Sequence, residues 1–385
     1  MSIIAKKFIA ELKPRLLDLL VCPETGEELK MISFTTISEN IQNKILIDTD
    51  EGVLVSESGR VYPVIDGVPR MIDGAFFLYK TFRTKWNKKL NELGLVNEFT
   101  LQKPDEAFLK FILPTLTRFE KEWNAHELGG LTWNFDPPTR IKHFLHYMNA
   151  TAGDLQNKIV LDAGAGTGQT ACNYTTLGSE VVGIDLSPAV VRGWLARKKL
   201  VPQSHQNLHI VQGNLLKPPF RKNTFDFIHS SGVLHHTPDT RIAFDVVSSL
   251  TKSGGKFSVW IYKIIPDAFL PLIPFVQFKF LSFSIARLRK FTPKMNPGLL
   301  HGLITFYCFY QQAAYKINNV VRGKNHKQTA KERATSLFDS LAPPFVWKHQ
   351  PEEVMNWFVE NGYSAVNNTS LPTELYGFNI CGIKN

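Results

Sequence analysis

Residues 158–169 read KIVLDAGAGTGQ, and residues 181–185 read VVGID. An apolar run enters a glycine-rich turn, a helical stretch follows, and a second apolar run ends in a carboxylate. Short uninterrupted aliphatic runs suit strands buried on both faces, and the glycines let the chain turn sharply into a helix. The pattern predicts a βαβ unit, the repeating element of a parallel sheet flanked by helices. Glycine spacing then narrows the ligand. A dinucleotide fingerprint needs glycine at 164, 166 and 169, but position 169 is Gln and the third glycine is Gly168.

An acid, Asp162, stands two residues ahead of Gly164. A pyrophosphate needs backbone N–H groups at a helix N-terminus and is disfavoured by an adjacent carboxylate. S-adenosylmethionine (SAM) has no phosphate; it presents an amino acid, a sulfonium, a ribose and an adenine. Asp162 is placed to bond the amino group, and Gly164, Gly166 and Gly168 permit close backbone approach. Asp185, 17 residues after Gly168, is placed to accept the ribose hydroxyls, with Leu186 beside it. Residues 208–214 (LHIVQGN) predict a third strand whose last residue, Asn214, is placed to read the adenine amino group, next to Leu215. A fourth strand from Thr224 runs into the loop Ser230–His236, and Ser253-Gly254-Gly255 turns into a fifth strand ending at Tyr262. Ser230 completes the expected cofactor set.

In this order, residues 158–262 resemble class I SAM-dependent methyltransferases of the type 11 kind. The resemblance implies an α/β, Rossmann-like sheet, SAM as cofactor, and an enzyme that transfers methyl groups. It departs from the family at Asn214, where an acid is usual; an amide oxygen still accepts from the adenine N6.

A second resemblance lies at residues 1–75. The phrases RLLDLLVCPETGEEL and GRVYPVIDGVPRMI resemble the small zinc-ribbon-like domains that activate methyltransferases or precede them. Metal-binding members hold zinc through two CxxC pairs. Here Cys22 is matched by Thr25, and the second pair falls on Val55 and Ser58, so a single thiolate remains. A metal-free α+β version is expected. Residues 76–155 read as a helical cap or linker punctuated by Trp86, Trp123 and Trp133, with His143 and His146 three apart; no third ligand accompanies them, so no metal site is expected. The SAM-binding core is expected over 156–263.

After the fifth strand, residues 264–335 form an insertion foreign to the minimal sheet. Its stretch 268–285 is apolar and aromatic but is broken by Pro271, Pro274 and Lys279, against a membrane span. A second apolar helical stretch covers 299–321. These are expected to act as a lid over an apolar acceptor, or to rest on a membrane surface through 264–321; the competing reading buries them against each other or against a second subunit. Residues 336–385 supply a helix from Pro351 and two strands, near 364–370 and 377–384, that complete the sheet.

With 385 residues, 44% hydrophobic and 20% charged, the chain has the balance of a globular protein. Its four cysteines lie far apart, which suits a reducing cytoplasm, and no secretory signal is visible at its start. The net charge of +10 permits attraction to RNA or anionic lipid, although basic residues look dispersed, with clusters at 192–199, 287–294 and 322–331.

Methyl transfer from a sulfonium needs orientation, plus a base when the acceptor is a hydroxyl. His235 and His236 are the candidate bases, with Tyr262 the third candidate. No Asn/Asp-Pro-Pro-Tyr/Phe follows the fourth strand, and no proline-preceded cysteine lies at the crevice, which argues against two nucleic-acid methylation mechanisms. The expectation is therefore a small-molecule acceptor, apolar or lipid-like, methylated at oxygen or carbon. An RNA acceptor is the competing reading, and a SAM-binding protein without turnover the third. Oligomeric state is not legible.

Overall fold

In the computed structural model the described residues are 14–41, 44–101, 104–125, 128–129, 135–264, 287–322, 329–372, 374 and 376–385. Trp133 and the apolar stretch 268–285 lie outside them. The strands are β1 Leu29–Ile41, β2 Lys44–Ser56, β3 Val61–Ile65, β4 Val68–Met71, β5 Ile159–Ala163, β6 Glu180–Asp185, β7 Leu208–Gly213, β8 Phe225–Ser231, β9 Thr251–Tyr262, β10 Tyr363–Asn368 and β11 Gly377–Lys384. They join in one sheet of order β1-β2-β3-β4-β7-β6-β5-β8-β9-β11-β10. From β4 to β9 every pairing is parallel, and β9, β11 and β10 pair antiparallel.

Every residue of β5 and β7 is buried, as aliphatic runs in a sheet covered on both faces should be. From β5 the chain winds through β6 to β7 on one side, then returns to place β8 on the other side of β5. That reversal opens a crevice at the carboxyl ends of β5 and β8, where ligands bind in such sheets.

The helices are α1 Pro14–Leu19, α2 Ala75–Leu78, α3 Lys80–Glu92, α4 Glu98–Leu101, α5 Leu113–Asn124, α6 Pro137–Tyr147, α7 Gln169–Thr175, α8 Val191–Leu200, α9 Thr240–Ser248, α10 Pro297–Arg322, α11 Ala330–Leu341 and α12 Pro351–Glu360. Local sequence sets several ends. Asp136 accepts from the Thr139 N–H at 2.8 Å to start α6, and Asp239 accepts from the Ile242 N–H at 3.0 Å to start α9. Pro351 occupies the first turn of α12, and Gly362, at φ +77°, follows its end.

Two layers of core sandwich the sheet. On one face α6, α7 and α8 bury Phe144, Tyr174 and Trp194 over Val160, Val181 and Ile210. On the other, α9 and α12 bury Phe244 and Phe358 over Phe257 and Ile380. Each such side chain contributes about 1.5–3 kcal/mol when fully buried.

Residues 14–71 are not a separate bead. Strand β4 pairs parallel with β7, Arg70 opposite Gln212 and Met71 opposite Gly213, so the N-terminal strands extend the central sheet. Leu16, Leu20, Leu54, Tyr62 and Met71 share one core with Ile184, Val211 and Phe220. The β3–β4 turn is tied down as well, since the Trp194 indole donates to Asp66 O at 2.7 Å. At the ribbon positions, Cys22 Sγ lies 3.4 Å from Tyr62 Oη, and Glu27 Oε2 accepts from Ser58 N at 3.1 Å and Ser58 Oγ at 2.6 Å. Those bonds hold the Glu27 carboxyl down at about 2. Among the described residues no group of three metal-ligating side chains forms.

Helices α10 and α11 form a helical hairpin. Leu300, Ile304 and Cys308 of α10 pack on Ala334, Phe338 and Leu341 of α11. Thr292 Oγ1 donates to Leu341 O at 2.8 Å and Arg118 Nη2 donates to Met295 O at 3.2 Å, which fastens the hairpin to α5 and brings the end of α11 to the crevice. Among the described residues, no helix is long and apolar enough to cross a membrane.

Candidate active site

The glycine turn after β5 is built for close approach. Gly164, Gly166 and Gly168 have φ of +97°, +57° and +75°, a region that side chains rarely adopt. A Cβ on Gly164 would stand 2.2 Å from Val233 Cγ2, and one on Gly166 would stand 2.8 Å from the Trp123 ring.

Two acids flank this turn. Asp185, ending β6, accepts from the Gly166 N–H and the Ser187 N–H, each at 2.8 Å. Burial nevertheless raises its carboxyl to about 6. A carboxylate has about four lone-pair sites, so acceptor capacity remains for hydroxyl groups. Asp162, near the end of β5, is only 5% exposed, and its Oδ2 has no hydrogen-bond partner among the described residues. Burial first, then the Asp185 charge, pushes it up to about 7. An orphaned buried carboxylate oxygen is costly unless a donor or cation reaches it.

The remaining expected cofactor residues fall around the same strand ends in different roles. Leu186 O accepts from Gln212 Nε2 at 2.9 Å, and its side chain packs beside Ile72, Ala75 and Leu116. Asn214 is half-buried and its Oδ1 accepts from the Leu216 N–H at 3.0 Å, closing the turn after β7. Leu215 points into the main core, and Ser230 Oγ donates to Ala163 O at 2.9 Å, stitching β8 to β5.

At the exit of β8, Leu234–His236 form a single helical turn. The His235 ring is fully buried, and neither nitrogen has a hydrogen-bond partner among the described residues. Burial, then the nearby His236 and His349, lowers its pKa well below that of an ordinary histidine, so it stands neutral. Its ring centroid lies 4.1 Å from that of Tyr262 and 4.3 Å from that of His236. His236 Nδ1 lies 3.0 Å from Phe345 O, and its Nε2 faces Asp339 Oδ1 at 3.4 Å. The Tyr262 hydroxyl, at the end of β9, donates to Asp339 Oδ2. Burial and the adjacent Asp339 raise that phenol well above the ordinary tyrosine value.

Two residues join this cluster without any local signal in the sequence. Asp339 sits near the end of α11, remote in the chain from every glycine or histidine motif. Glu122, 2% exposed on α5, has its carboxyl raised well above the ordinary value by burial, then by Asp339 and Asp185. Its neighbour Trp123 lies against Gly166, and Arg192 donates to Trp123 O at 2.5 Å. The FEKEW phrase at 119–123 reads as an aromatic anchor; only packing shows that it brings a carboxyl to the crevice. His143, by contrast, packs edge-on against Phe135 at 4.5 Å.

The crevice is thus lined by acids, beside glycines that a Cβ would crowd. This suits a ligand carrying positive charge and ribose hydroxyls, as SAM does, and does not suit a phosphate-bearing one.

Comparison with known proteins agrees with that chemistry. Residues 161–259 match the family described as Methyltransferase domain, and residues 13–67 match Trm112p-like protein. The chain is 30% identical over 107 residues to Demethylmenaquinone methyltransferase of Lactococcus lactis subsp. lactis, covering 27% of this chain and 42% of that protein. It is 30% identical over 147 residues to Ubiquinone biosynthesis O-methyltransferase of Xanthomonas oryzae pv. oryzae, covering 37% of this chain and 60% of that one. The chain therefore spans less than two thirds of either relative. Among solved structures, magnesium protoporphyrin IX methyltransferase from Synechocystis PCC 6803 is similar at 12% identity and a TM-score of 0.42, covering 73% of this chain and all of that one. Residues 161–259 thus match a methyltransferase domain, and the segment that matches Trm112p-like protein joins the edge of the same sheet through β4 and β7.

Proposed function

We propose that the protein transfers a methyl group from SAM to a small apolar acceptor, at oxygen in preference to carbon. The observation that carries this reading is the juxtaposition of the acid-lined glycine crevice with the buried His235–His236–Tyr262–Asp339 cluster. SAM, when bound, supplies an electrophilic methyl group on a positively charged sulfur. Asp162 would bond its ammonium, Asp185 its ribose hydroxyls, and Leu186 and Asn214 would border its adenine. Trp123 and Val233 exclude water from the glycine turn.

His235, neutral and with open ring nitrogens, would take the proton from an acceptor hydroxyl. The developing charge would be balanced by Asp339, held in place through Tyr262 and His236. Burial makes that charge balance stronger than it would be in water. The quinone-directed names of the relatives support an apolar acceptor. The Trm112p-like match supports RNA as the competing acceptor.

Calorimetric titration with SAM, joined to turnover of quinol and phenol acceptors, tests this. Replacing Asp185 with Ala should weaken SAM binding at least about 100-fold, since two charge-assisted bonds are lost. His235→Ala should leave SAM affinity near that of the native chain and slow turnover by about 10²–10⁴-fold. Unchanged SAM affinity in the first variant would refute the cofactor site; full activity in the second would remove the base. Methyl transfer to RNA with none to small acceptors would favour the competing acceptor.

A further inference from the structure

The net charge of +10 is not spread over the molecule. Residues 268–331 hold ten lysines and arginines and no aspartate or glutamate, which leaves 34 basic residues against 34 acids in the rest of the chain. The whole excess belongs to the segment that contains α10. The same helix carries the most extensive exposed apolar surface described. Leu299, Leu303, Phe306 and Tyr310 recur at three- and four-residue spacing on its outer side, flanked by Tyr307 and Phe309. Phe306 is 76% exposed and Tyr310 72%, whereas Leu300, Ile304 and Cys308 on the opposite side are buried against α11. The helix therefore has two apolar faces, one buried against α11 and one turned to solvent. Just before it, Phe291 is 68% exposed between the exposed Lys290 and Lys294.

Surface-exposed phenylalanine and leucine in such a row are costly in water and mark a surface that meets something apolar. Set in a basic stretch of sequence that holds no acid, the arrangement has the chemistry of a helix lying in a bilayer interface. Aromatic side chains enter the acyl boundary while lysines meet anionic headgroups. An RNA partner would account for the charge but not for six exposed apolar side chains. A second protein copy would account for those side chains but would set the basic segments of two copies against each other. We propose that the outer face of α10 and the turn at 290–294 dock this protein on an anionic lipid surface. The proposal concerns residues with no assigned part in methyl transfer and stands or falls separately from that reading.

Co-sedimentation of the full chain with vesicles tests it. The vesicles are phosphatidylcholine alone, or phosphatidylcholine with about 30 mol% phosphatidylglycerol. The native chain should partition onto the anionic vesicles and be largely released at about 0.5 M salt. Phe306→Ser with Tyr310→Ser, and separately Lys290→Glu with Lys294→Glu, should each lower partition at least about tenfold. Both variants should retain the native SAM affinity and melting transition, which separates loss of docking from loss of fold. No partition of the native chain overturns the proposal. So does equal binding to neutral vesicles with no effect of the lysine changes. A dimer dissolved by the aromatic changes, or RNA binding lost with the lysine changes, in a chain that ignores vesicles, would assign the face to those partners instead.

Discussion

Asp162 and Asp185 behave as they do because the fold takes two carboxyls out of water at the end of adjacent strands. In the folded chain Asp162 keeps its proton up to about 7, whereas the unfolded chain releases it near the ordinary value of 3.8. The folded state thus binds more protons across that window, and the stability of the ligand-free protein should fall as pH rises through it. A bound SAM cation favours the ionised form, so SAM affinity should rise with pH through the same window. The rise in melting temperature on adding SAM should be larger at about pH 8 than at about pH 5, and Asp162→Asn should flatten that difference. Thermal-shift measurements at the two pH values decide it; equal shifts in the native chain would count against Asp162 as the ammonium partner. At this scale the glycines and both acids are legible in the sequence, because a strand end and a turn are local. The lone state of the Asp162 oxygen is not, since it depends on every group packed around it.

Among the elements, the contact of α7 with α8 governs the glycine turn. Gly193 N donates to Thr167 O at 2.8 Å, and a Cβ on Gly193 would stand 2.6 Å from the carbonyl carbon of Gly168. Backbone meets backbone there, so no side chain can yield. Gly193→Val should cost about 1–3 kcal/mol in urea unfolding and weaken SAM binding as the turn is displaced. Stability and affinity both unchanged would mean that α8 moves freely against the turn. Helix starts such as Asp136 and Asp239, and the strand periodicity of β5 to β9, are readable because they rest on neighbours in sequence. The delivery of Glu122 by α5 and Asp339 by α11 is not. Each lies on an amphipathic helix whose pattern says which side is buried but not what it is buried against.

For the whole molecule, the pairing of β4 with β7 and the shared core predict that the Trm112p-like strands and the central sheet unfold as one cooperative body. Leu54 is fully buried in the core that also holds Val211 and Phe220. Leu54→Ala should therefore cost about 2–5 kcal/mol and lower a single melting transition that SAM still raises. Two separated transitions would show that the N-terminal strands unfold alone. The sequence predicts both the ribbon-like segment and the Rossmann-like sheet, yet nothing in either motif announces that Arg70 and Met71 of β4 pair with Gln212 and Gly213 of β7. Nor does the dispersed look of the basic residues announce that the exposed aromatic face of α10 lies in the segment that holds all the excess charge. By itself, the sequence determines the glycine turn, the flanking carboxylates and the succession of strands that follows, since these need only local backbone geometry and short aliphatic runs. Tertiary structure alone decides which acids share the crevice, that His235 is buried and neutral beside Tyr262, and which face of α10 is left to solvent. Those outcomes depend on contacts between residues in separate elements, from about thirty to more than two hundred positions apart in the chain, whose energies no local window contains.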